Sequence, residues 1–142
     1  MSIKDSMIDG VFIRMCRQAT DLQNLRPNLI KNEDIYLVLP HECFFRAQEI
    51  IELGLQFKER IWIPTQKEMQ NEILEGVNKY LGCMEKMTHE DMRRIGFKTL
   101  MDTIHSWAKS HDEFFTFDQI WLSYFMKYKF NKVWVNDEWI QN

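Results

Sequence analysis

The chain has little of what usually announces a chemistry. Three cysteines, Cys16, Cys43 and Cys83, occur in 142 residues. An odd number at wide spacing gives neither a disulfide framework nor a zinc pattern, and the plain reading is reduced, buried thiols. Only five glycines and three prolines are present. The glycines form neither GxGxxG nor GxxxxGK, so there is no glycine-rich loop to cradle a phosphate. No N-terminal apolar run follows a basic start, so no signal peptide is expected. The apolar runs fall far short of the ~18 residues that span a bilayer, so no membrane partner is expected. Charge of one sign is missing too. The net charge is −3, and acidic and basic side chains are mixed along the whole chain. That pattern argues against a protein held on nucleic acid by overall charge.

Apolar and aromatic side chains are abundant instead, at 45% and 13% of the residues. Such a share speaks against disorder, and the length fits one domain over residues 1–142 with a real core. The densest stretch is Phe117–Trp139. On a helix, Phe117, Ile120, Trp121, Tyr124, Phe125 and Tyr128 share one broad apolar face. Leu122, Met126 and Phe130 form a second stripe on roughly the other side. A helix apolar on two sides is either enclosed in a core or keeps one side for a partner. Thr116 with Gln119 reads as a capping box at its start, and Asn131 as a left-handed end. Beyond it, Val133-Trp134-Val135 and Glu138-Trp139-Ile140 read as two short strands around an Asn136-Asp137 turn.

Upstream, the spacing of Ile3, Met7, Val11, Met15, Ala19 and Leu22 predicts an amphipathic helix over 3–24, weakened at Gly10 and stopped near Pro27. Ile35–Leu39, closed by Pro40, reads as a buried strand. His41–Leu53 reads as a helix with Phe44, Ala47 and Ile51 on one face and Gly54 as its stop. Ile61-Trp62-Ile63 is extended ahead of Pro64. Thr65 and Glu68 form another capping box, for a helix facing inward through Met69, Ile73, Val77, Tyr80 and Leu81 and ending at Gly82. Thr88 opens a further helix whose buried face is Phe97, Leu100, Met101, Ile104, Trp107 and Ala108. The expected fold is mainly α: a single compact domain of about five helices, with a small C-terminal β-hairpin and one or two short strands.

The groups that could carry chemistry are scattered. His41-Glu42-Cys43 are consecutive and diverge on a helix, so they do not converge on an ion. His105 and His111 are six apart, a spacing that suits neither helix nor strand. His89-Glu90-Asp91 suit an acidic helix start better than a metal. No catalytic residue, metal ligand or cofactor is therefore expected. Lys127, Lys129 and Lys132 interleave with Tyr128, Phe130 and Trp134, as single-strand nucleic-acid binders do, although lysines in a last helical turn also suit the helix dipole. Glu68, Glu72 and Glu75 recur at helical spacing and make an acidic stripe of the kind that can meet a basic groove.

Two segments carry a resemblance. Trp62-Ile63-Pro64-Thr65-Gln66-Lys67-Glu68-Met69-Gln70 resembles the WLPTQ-x-x-LQ segment of small, uncharacterised phage and prophage proteins of Gram-positive bacteria. Phe117–Leu122 and Lys127–Trp134 resemble their C-terminal segment, so about residues 61–140 are covered. This chain departs from them at Asn136-Asp137, where those proteins often have a shorter Asn-Gly turn. The resemblance implies a phage accessory protein in the cytoplasm of a bacterial host. Such proteins commonly bind and block a host factor, defence nucleases such as CRISPR nucleases included, or regulate phage genes. The leading expectation is a non-catalytic binder of a host protein. It would use the Leu122/Met126/Phe130 stripe or the acidic stripe, and a homo-oligomer would use the same apolar stripe. The alternatives are a nucleic-acid-binding regulator of phage genes, and a small enzyme or ligand-binding protein.

Overall fold

The computed structural model describes residues 10–29, 31–84 and 89–142, apart from the side chains of 77–93. Residues 3–9 of the first predicted helix, Thr88 as a helix start, the inward roles of Val77, Tyr80 and Leu81, the Cys83 thiol and the His89-Glu90-Asp91 side chains lie outside the described residues. Contacts group the chain into two units, one reaching to Pro64 and joined by Lys132–Asn142, the other Thr65–Asn131.

The first unit opens with α1 (Gly10–Gln18) and α2 (Thr20–Gln23). Of the predicted face, Met15, Ala19 and Leu22 are buried and Val11 is half-buried, while Phe12 and Cys16, outside the predicted set, are buried beside them. The single helix expected there is two, because the backbone leaves the helical region at Ala19 (φ −84°, ψ 78°). The Cys16 carbonyl then accepts the Ala19 N–H in a tight turn (3.2 Å) and the Gln23 side-chain amide (2.9 Å).

Strands β1 (Ile35–Leu39), β2 (Cys43–Arg46) and β3 (Glu59–Trp62) form an antiparallel sheet in the order β2-β1-β3. Central β1 is covered on both faces, with Tyr36, Leu37 and Val38 each 2% exposed or less. That is why its sequence is a continuous apolar run and does not alternate. The helix expected over His41–Leu53 is helical only in its second half. Glu42 takes a left-handed φ of 56° and reverses the chain, and Cys43–Arg46 then pairs with β1. Only α3 (Ala47–Leu53) is helical, ending at Gly54 with φ 57° as expected. Ile51, expected on the inner face, is 57% exposed.

The hairpin of β4 (Lys132–Val135) and β5 (Glu138–Gln141) forms as predicted. Asn136 and Asp137 both have positive φ, 51° and 62°, the type I′ pattern that follows strand twist. Trp139 anchors it by donating from Nε1 to the Met15 carbonyl (2.9 Å).

The second unit holds α4 (Gln66–Met84), α5 (His89–Ser110) and α6 (Phe117–Phe130). The Thr65/Glu68 capping box is present in both directions, at 3.0 and 3.1 Å. α4 continues past Gly82 to Met84. α6 packs on both other helices. Asp118 accepts from Gln66 of α4 (3.0 Å), while Ser123 and Tyr124 meet Trp107 of α5. Trp121, Leu122, Phe125 and Met126 are all buried, so the two-sided apolar pattern belongs to an enclosed helix. Leu100 and Ile104 of α5 are buried, but Phe97 is 48% exposed. The described chain is mostly helical, as expected, and its strand content, a three-stranded sheet plus a hairpin, exceeds the one or two extra strands expected.

Candidate functional site

Among the described residues of the second unit, the most exposed large apolar side chains bracket the start of α6. Phe115 is 86% exposed and Phe117 is 69% exposed. The backbone that carries them is held firmly. Thr116 caps the helix, its Oγ1 accepting the Gln119 N–H at 3.2 Å. The Gln119 side chain accepts the Phe115 N–H at 3.0 Å. Gln119 is itself buried, 3% exposed, so this clamp is fixed from inside.

The segment before the cap is anchored by aromatic packing. Phe114 turns inward at 8% exposure, beside the His111 ring. His111 stacks on Trp107 at 3.9 Å between centroids, and its Nδ1 lies 2.8 Å from the Trp107 carbonyl. Trp107 donates from Nε1 to Ser123 Oγ (2.8 Å), and the Ser123 hydroxyl donates in turn to the Ile120 carbonyl (2.8 Å). Ser123 is buried, 3% exposed, and links α5 to α6 through these two bonds. One Phe of three therefore fills the core while two stand in water on a rigid cap. Periodicity could not separate them, because Phe114 and Phe115 precede the helix. The usable signal was three phenylalanines within four residues at a helix start.

The residues singled out in the sequence fall differently. Leu122 and Met126 are both 0% exposed and offer no contact surface, which corrects the reading of their stripe as a docking face. Phe130 is half-buried, edge-on to Phe125. Tyr128 and Phe117, at the two ends of the predicted broad apolar face, are 47% and 69% exposed. Each lysine of the basic set is engaged within its own unit. Lys127 donates to Asn131 Oδ1 (2.7 Å), Lys129 pairs with Glu72 (2.9 Å), and Lys132 pairs with Asp21. Of the acidic stripe, Glu68 caps α4, Glu72 is neutralised by Lys129, and Glu75 is exposed.

Within the first unit, the His41 and Cys43 side chains do not pair with each other. Cys43 Sγ donates to the His41 carbonyl (3.3 Å), while His41 Nε2 meets the Gln56 carbonyl (2.9 Å). The imidazole and the thiol thus address different backbone oxygens. Among the described residues no three His, Cys, Asp or Glu side chains are grouped to hold a metal ion. Nor is any described helix long and apolar enough to cross a membrane.

The first unit contains one densely polar core region. Arg26 pairs with Asp34 at 2.8 Å, with 11% and 4% of the side chains exposed, and its guanidinium lies 4.0 Å above the Trp62 ring. Arg60 covers the Tyr36 ring at 5.0 Å and donates to the Pro27 carbonyl (2.7 Å). The Tyr36 hydroxyl and Trp62 Nε1 are buried without a hydrogen-bond partner. Burial pushes the Tyr36 hydroxyl above its usual range, with the neighbouring Arg60 pulling the other way. Burial also raises Tyr124, helped by Tyr128 beside it. In the first unit, Arg26 and Arg60 tie the loop after α2 to the sheet.

No protein-family model matches the chain, and comparison with curated proteins and with solved structures returns no match.

Proposed function

We propose that this chain is a non-catalytic binding protein that engages another protein through Phe115 and Phe117. The observation that carries the reading is the pair of exposed phenylalanines, 86% and 69%, on a cap locked by Thr116 and Gln119. Each large apolar side chain left in water forgoes about 1.5–3 kcal/mol of burial. Rigid aromatic anchors suit a partner pocket, because little conformational freedom is lost when they bind. The partner is thus a protein with an apolar pocket.

The resemblance to phage proteins supplies the setting: the bacterial cytoplasm, with a host protein as the target and a defence nuclease as the natural case. A nucleic-acid-binding regulator has less support, because Lys127, Lys129 and Lys132 already have partners.

The test is affinity capture from a bacterial host lysate, with the wild-type chain and a Phe115→Ala/Phe117→Ala variant side by side. The reading expects a protein that the wild type retains and the variant loses, with no dependence on added nuclease. A captured protein retained equally by both, or retention that nuclease abolishes, would overturn it.

A further inference from the structure

We draw no further inference here: the strongest candidate, the open groove of about 490 Å³ along α5 from Thr99 to His111, is a stripe of small hydroxyl side chains beside Trp107, and nothing in the structure shows what covers it.

Discussion

The Tyr128 hydroxyl of α6 occupies the space where a β-carbon on Gly76 of α4 would stand, 2.6 Å away. Glycine inside a helix normally costs about 1 kcal/mol relative to alanine. Here it makes room for a tyrosine that also stacks on Tyr124 (6.1 Å between centroids). Gly76→Ala should therefore show little of the usual gain. In a Tyr128→Phe background the nearest remaining ring atom would be 3.7 Å away, an ordinary contact. There the same substitution should stabilise by about 1 kcal/mol. Chemical denaturation of the wild type and the three variants checks this, and an equal effect of Gly76→Ala in both backgrounds would show that the close approach has no energetic weight.

Gln23 closes the edge of the sheet. Its side chain accepts the Trp62 N–H (2.7 Å) and donates to the Trp62 carbonyl (3.0 Å), standing in for a neighbouring strand. Gln23→Leu would strand both groups and remove one of the bonds to the Cys16 carbonyl. The expected loss is about 2–4 kcal/mol in denaturant unfolding. Gln23→Glu should rescue little, since a carboxylate keeps the acceptor but faces two carbonyl oxygens. A loss under about 0.5 kcal/mol for Gln23→Leu would mean water replaces the amide freely.

Alkaline stability should depend on Tyr36 and Tyr124. Both are held above the ordinary tyrosine value by burial. Their contribution is complete below about pH 10, where neither folded nor unfolded tyrosine is ionised. Above that pH the unfolded chain loses its protons first and stability falls. Tyr36→Phe should remove part of that fall. At neutral pH it should be within about 1 kcal/mol of wild type, because the hydroxyl it removes has no partner. An unchanged alkaline profile would rule out Tyr36 as a contributor.

The hairpin turn offers a fourth stability test. Asp137 holds a left-handed φ of 62° and pairs with Arg14 at 3.3 Å, with the two side chains 69% and 50% exposed. So exposed a pair contributes about 0–1 kcal/mol, whereas glycine suits the turn better than aspartate. Asp137→Gly should therefore stabilise by about 0.5 kcal/mol, measured by the denaturation midpoint. A clear destabilisation would assign the ion pair more weight than its exposure allows.

Local chemistry was the legible part of this fold. Thr65 with Glu68, Gly54, Asn131 and Asn136-Asp137 each act at the end or turn where their side chains and preferred φ place them. The apolar run of β1 was legible for the same reason. β2 was not, because Phe44, Ala47 and Ile51 keep helical spacing while strand formation depends on β1, which lies outside that window. Periodicity also states which residues share a face, and not whether anything covers it. Hence Leu122 and Met126 are core, whereas Phe97, Phe117 and Tyr128 reach solvent. The Phe115 side of the candidate site escaped because it precedes α6, where no period applies.

The central claim is that Phe115 and Phe117 anchor a protein partner. Titration calorimetry of the captured host protein against the wild type, Phe115→Ala/Phe117→Ala and an Ile51→Ala control measures it most directly. The account predicts an affinity loss of about 10–100-fold for the double variant, the range of lost aromatic anchors, with thermal stability and the control unchanged. Equal affinity for the wild type and the double variant would contradict it.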